Sequence, residues 1–153
     1  MSKLSISEHF DCTQDHAFNV VTDFPNAPKY ISGIIKTEML TKGPVGLKTR
    51  VRETREMFGR EATEEMEITD WDRPNRAVIE AHSHGARYIS TYTVVAEGTG
   101  SKVSMTFEAL PQTLMAKVMS FVMSGLANSL EKMMLKDLSD AKIYAEGNAE
   151  KAE

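Results

Sequence analysis

The chain has little of what would fix a structure or a chemistry from outside a hydrophobic core. Its 153 residues include one cysteine, Cys12. A single thiol closes no internal disulfide, so the fold rests on packing, and a reducing, cytoplasmic setting is expected. Cys12 also lacks the local signature of a nucleophile. There are 4 histidines. His82 and His84 would share a strand face, but two imidazoles without a third ligand are too few for zinc, so no metal and no cofactor are expected. Nucleophile elbows, phosphate loops and dinucleotide fingerprints are missing; "GPVG" and "GTG" read as turns. Positive charge is in deficit, with a net charge of −4, which disfavours nucleic acid and anionic membrane surfaces as partners. No stretch reaches the ~18 apolar residues needed to span a bilayer, so no stable membrane insertion is expected. The nearest, Leu114 to Leu126, is interrupted by Lys117, Ser120, Ser124 and Gly125. Residues 1–11 show no basic-then-apolar signal pattern.

What is there suits one globular domain. Hydrophobic residues make up 41% and charged residues 26%, and the length suffices to bury a real core. The 10 methionines outnumber the 6 phenylalanines and 1 tryptophan. Met115, Met119, Met123, Met133 and Met134 crowd toward the C-terminus. Methionine adapts to varied partners, although a stripe at helical spacing also serves plain packing.

Alternation of Leu4, Ile6, Glu8 and Phe10 with polar neighbours predicts a strand over 3–11. Thr13 offers a cap for a short helix, Gln14 to Thr22. Pro25 and Pro28 limit the next segment to a turn or a short second helix. Six strands follow: Ile34 to Thr41, Leu47 to Phe58, Glu61 to Trp71, Arg76 to Ser83, Arg87 to Ala96 and Lys102 to Ala109. The short Gly-, Pro- and Asn-containing links between them imply an antiparallel meander. After Pro111 the apolar positions Met115, Val118, Met119, Val122, Leu126, Leu130, Met133 and Leu138 predict one long helix, about Gln112 to Ala145. Residues 147–153 are expected to form a disordered tail. A long antiparallel sheet curls, and an amphipathic helix is its natural cover, giving an α+β fold.

The hairpin "RETREMFGREATEEMEI" carries the sharpest signal. A Gly59-Arg60 loop would place Arg55 opposite Glu64 and Glu53 opposite Met66. A Phe58-Gly59 loop would set Glu53 against Glu64, and like charges directly opposite are destabilising, so the first register is expected. One face carries only Arg, Glu and Thr. The other carries Val51, Glu53, Arg55, Met57, Ala62, Glu64, Met66 and Ile68, and must point inward. Buried charges cost several kcal/mol each unless they are paired or reach water. The inward face therefore reads either as an Arg55–Glu64 ion pair at the open end of the sheet or as the wall of a water-accessible cavity. In the next hairpin, a Gly85-Ala86 turn would pair Ile79 with Tyr92 and Ala81 with Ser90. The inward set there (Ala77, Ile79, Ala81, Ser83, Tyr88, Ser90, Tyr92 and Val94) is rich in small residues. Space lined by apolar groups and a few polar ones is the form of a small-molecule site.

The stretches "VVTDFPNAPKYISGI", "GPVGLKTRVRETREMFGREATEEMEITDWDRPNR" and "TYTVVAEGTGSKVSMTFEA", followed by a long C-terminal helix, resemble the polyketide cyclase/dehydrase-like branch of the START-like (SRPBCC, helix-grip) superfamily. The likeness spans about Leu4 to Ala145, so residues 1–146 read as a single START-like domain. It implies a seven-stranded curved antiparallel sheet wrapped around the C-terminal helix, with two short helices between strands 1 and 2. It also implies a deep cavity that holds a lipid, polyketide, quinone or similar molecule. The mouth would be formed by Phe24 to Ile31, the "GPVG" loop and the first half of the last helix. The family often has Trp where this chain has Tyr30, and no catalytic residue is shared across it.

The expected ligand-binding residues are Phe24, Tyr30, Ile31, Glu53, Arg55, Met57, Glu64, Met66, Ile79, Ala81, Tyr88, Ser90, Tyr92 and Phe107, with Met115, Met119, Val122 and Leu126 from the helix. Glu53, Arg55, Glu64 and Tyr92 are also the candidates for acid–base work. Three functions stay open on the sequence: binding or transport of a small hydrophobic molecule, a cyclase or dehydratase acting in the same cavity, and an interaction module. For the last, Leu114 to Leu126 would make a homodimer contact.

Overall fold

A computed structural model describes the backbone of residues 2–152 except 84, 124 and 126, and the same side chains apart from 2, 119–123 and 148–152. The chain runs β1 (Ser2–Phe10), α1 (Gln14–Val21), a 3₁₀ helix (Phe24–Lys29), β2 (Ile34–Met39), β3 (Arg50–Met57), β4 (Arg60–Asp72), β5 (Arg76–Ser83), β6 (Ala86–Glu97), β7 (Gly100–Pro111), α2 (Leu114–Met123) and α3 (Ala127–Ala152). The seven strands form one antiparallel sheet in the order β1-β7-β6-β5-β4-β3-β2. This is the expected helix-grip arrangement. The meander supplies every neighbour except β1, which returns to pair with β7.

Local chemistry explains the short helices. Thr13 accepts a hydrogen bond from the His16 amide at 3.2 Å, capping α1, and α1 buries Ala17, Phe18, Val20 and Val21. Pro25 and Pro28 hold the following segment to a 3₁₀ helix. There the Tyr30 hydroxyl donates to the Val20 carbonyl at 2.5 Å, tying that helix back to α1.

Two registers differ from expectation. β3 and β4 meet through a Phe58-Gly59 turn, with Met57 opposite Arg60 and Glu53 opposite Glu64. Phe58 (φ 53°) and Gly59 (φ 81°) are both left-handed, the pattern of a type I′ turn whose twist suits a hairpin. The carboxylate juxtaposition is outweighed on the outer face, where Arg52 reaches Glu65 at 3.0 Å and the Thr54 and Thr63 hydroxyls meet at 2.9 Å. Likewise Ile79 pairs with Ser90 and Ala81 with Tyr88, because Gly85 (φ 76°) takes the second central position of its turn rather than the first. Both slips are two residues, so no side chain changes face. The faces were legible; the partners were not.

The single long helix is also corrected. α2 ends at Met123 and α3 begins at Ala127. Gly125 falls between them, and glycine inside a helix costs ~1 kcal/mol relative to alanine. α3 runs on to Ala152, so residues 147–152, expected as a frayed tail, are its last turns.

The dry core lies at one end of the sheet. Phe10, Phe18, Ile68, Val94 and Val103 are fully enclosed there with Leu138, Ala141 and Ala145 of α3. Trp71 packs edge-on to Phe18 at 5.0 Å between centroids. Toward the other end, where the β3–β4 and β5–β6 turns lie, sheet and helix part.

Candidate functional site

Between the concave sheet face and α3 lies a cavity of about 1240 Å³. Its sheet wall is built from the small or slender inward residues read from the hairpins: Ala62, Ile79, Ala81 and Ser90, with Met57, Met66, Met105 and Phe107. Phe24, Ala27, Tyr30 and Ile31 close one side, and Leu130, Met133, Met134, Leu138 and Ala141 of α3 close the top. Phe58 and Met115 line it while 50% and 78% exposed, which marks the mouth at the turn end of the sheet.

A buried ion triad forms the polar centre. Arg55 Nε donates to Glu53 Oε1 at 3.3 Å, and Arg55 Nη2 donates to Asp137 Oδ2 at 2.7 Å. The three side chains are only 12%, 17% and 15% exposed (Arg55, Glu53, Asp137). Burial raises the pKa of Glu53 and of Asp137 above the ordinary carboxylate range, against the opposing pull of Arg55. Burial alone would lower Arg55, but Asp137 and Glu53 together outweigh it and hold the guanidinium charged. Of the two readings of the inward charges, the Arg55–Glu64 pair is not formed. Arg55 sits opposite Ala62 in the register, and Asp137 of α3 takes the place assigned to Glu64. Asp137 was missed because "LKDLSDAK" looks like a solvated helix face. Its signal was spacing: Asp137 falls three residues after Met134 and four before Ala141, on the inward stripe.

Two tyrosines and one carboxylate face the space without protein partners. Among the described residues no buried side-chain polar atom lacks a hydrogen bond, and no bond reaches the Tyr88 or Tyr92 hydroxyl. Both hydroxyls must therefore open onto the cavity they line. Burial, then Asp137 and Glu53, pushes Tyr92 well above the ordinary phenol range. Glu64 lines the same wall beside Glu53. Tyr88 stacks on Phe107 at 5.9 Å. Tyr30 differs: its hydroxyl is satisfied, and its ring stacks on Tyr144 at 4.1 Å, so it braces the wall.

Every other expected binding residue with a described side chain, from Phe24 to Met115, lies on the cavity surface. The side chains of Met119, Val122 and Leu126 lie outside the described residues, as does His84. His82 is exposed, and Cys12 is buried. Leu114, Met115 and Val118 of α2 are exposed. Among the described residues, no group of three or more His, Cys, Asp or Glu is placed to hold a metal. No helix there is long and apolar enough to cross a membrane.

A curved sheet gripping a C-terminal helix around a mostly apolar hollow is the START-like, helix-grip fold. The chain belongs to the family described as polyketide cyclase / dehydrase and lipid transport, matched over residues 1–139. No curated protein matches its sequence. Among solved structures it is similar to TTHA0849 from Thermus thermophilus, with 16% identity and a TM-score of 0.76 over 97% of this chain and 99% of that one. It also resembles the di-domain ARO/CYC BexL from the BE-7585A biosynthetic pathway (15%, TM-score 0.77), covering 95% of this chain and 50% of that one. A START superfamily protein from Mycobacterium smegmatis matches over 99% of both chains, with 12% identity and a TM-score of 0.68. At these identities the likeness is one of fold.

Proposed function

We propose that the chain binds a small hydrophobic or amphipathic molecule within its cavity, as a carrier or sensor. The observation that carries this reading is the hollow itself: about 1240 Å³ of mostly apolar wall with a few convergent polar groups, more than a well-packed core of this size leaves open. Native mass spectrometry of the purified protein tests it. A retained small molecule, or saturable uptake of a lipid, quinone or polycyclic aromatic with a rise in melting temperature, is the expected result. Failure of all three classes to bind would sink it.

A cyclase or dehydratase activity in the same space is the second reading, favoured by the convergence of Glu53, Arg55 and Asp137 with the Tyr92 hydroxyl. A carboxyl whose pKa burial raises is a better proton donor to a carbonyl oxygen near neutral pH, and its conjugate base can take a proton from carbon. On this reading Glu53→Gln abolishes turnover while leaving ligand uptake, and unchanged turnover removes the carboxyl from the chemistry. The exposed Leu114, Met115 and Val118 support a greasy rim at the mouth. Sedimentation at two concentrations separates that from a homodimer contact.

A further inference from the structure

The charges that face the cavity do not balance. Three carboxyl side chains look into its interior, Glu53, Glu64 and Asp137, against one cation, Arg55. Lys3 and Asp23 also line it, but Lys3 is exposed at the mouth and Asp23 accepts from Asn26 at 3.0 Å. The charge of Arg55 is offset by Glu53 and Asp137, which hold its Nε and Nη2. Glu64 has neither ion pair nor hydrogen bond among the described residues, although it stands directly opposite Glu53. If both Glu53 and Asp137 are ionised the interior carries an excess of two negative charges; if one of them holds a proton, the excess is one. A wall of this kind repels a carboxylate or phosphate head group in either state and attracts a cation.

A second observation points the same way. Tyr88 lines the cavity and is stacked on Phe107, and burial first, then the charge of Glu64, raises the pKa of its hydroxyl. Tyr92, half-buried, turns an unpartnered hydroxyl into the same space. An unpaired carboxylate in a cavity also lined by aromatic rings is the chemistry that holds an ammonium group, through a charge-assisted hydrogen bond and the negative ring face.

We propose that the ligand is an apolar, ring-bearing molecule with one protonated amine, and that the amine docks on Glu64 between Glu53 and Tyr88. This rests on the reading of the cavity as a binding site and deepens it. It excludes fatty acids and other anionic lipids as the preferred occupants.

Three fluorescent probes with one apolar body test it: 1-pyrenebutylamine, 1-pyrenebutanol and 1-pyrenebutyric acid, titrated into the whole chain at pH 7. The amine is expected to bind roughly tenfold or more tightly than the alcohol, the usual advantage of a hydrogen bond to an unpaired charge, with the acid weakest. Glu64→Gln should bring the amine down to the affinity of the alcohol, with the melting temperature checked alongside. An alcohol or acid that binds as tightly as the amine overturns the inference and leaves the binding reading standing. No binding by any of the three overturns the inference, and the binding reading then rests on the uptake of lipid and quinone. The wild-type comparison needs no variant, so a Glu64→Gln protein that failed to fold would not rescue the idea.

Discussion

Arg55 is the residue on which the inner wall depends. It is the common partner of two carboxylates that burial already disfavours. Removing one member of a buried pair leaves the other uncompensated, which costs about 3–5 kcal/mol. Water in the cavity softens that loss, so Arg55→Met is expected to cost ~3 kcal/mol, read as a lower urea midpoint at an unchanged slope. A second prediction follows from the direction of the Glu53 shift. Its folded pKa lies above the ordinary 4.5, so above that pH the folded state binds more protons than the unfolded one. Stability contributed by this group is then lost as pH rises through the folded pKa. Glu53→Gln carries no such penalty. The stability difference, variant minus wild type, is expected to grow as pH rises from 4.5 upward; a difference that stays flat or shrinks with pH would show Glu53 to be ionised freely in the fold. Glu53 and Arg55 were legible as inward because strand alternation permits only two faces. Their partner was not, since Asp137 lies 82 residues further on, and no local pattern encodes which helix turn meets which strand.

At the scale of elements, turn geometry overruled side-chain pairing. Sequence reasoning weighed cross-strand charges, each worth a fraction of a kcal/mol to ~1 kcal/mol, and chose a register two residues away from the real one. It gave too little weight to a type I′ turn, which here puts Phe58 at φ 53°. A left-handed conformation costs an ordinary residue ~1–2 kcal/mol, and asparagine tolerates it better. Phe58→Asn is therefore expected to raise stability by ~1 kcal/mol. Calorimetry checks it; a fall in melting temperature would mean that Phe58 contributes more by covering the mouth than it costs in the turn. The turn between β5 and β6 has a different constraint. A Cβ on Gly85 would lie 2.5 Å from Thr113 Oγ1, and that oxygen accepts the Ala116 amide at 3.0 Å. Gly85→Ala would push Thr113 off the first turn of α2, losing a cap worth ~1 kcal/mol beside the mouth. The expected result is a lower melting temperature together with faster release of 1-pyrenebutanol in stopped flow. Release at the wild-type rate would show that α2 does not control access.

The molecule as a whole divides its interior between two uses. The end near α1 is packed around Phe10, Phe18 and Val94 and supplies the stability. The end near the turns is left open, at a cost in unrealised packing, because small residues (Ala62, Ala81, Ser90) stand where a sheet under a helix would otherwise carry Leu or Phe. The existence of the hollow was legible in those residues and in the charges among them; its size was not, since volume depends on how far α3 stands off the sheet. If the hollow is there for a guest, filling it should separate stability from function. Ala81 faces Met66 and Tyr88 across the strands and borders open space, so Ala81→Leu adds apolar contact without the overpacking that a dense core would suffer. It is expected to keep or raise the melting temperature of the ligand-free protein while weakening 1-pyrenebutylamine binding by about tenfold or more. A variant that melts several degrees lower would instead mean that the layers already touch at Ala81 and that the space lies elsewhere.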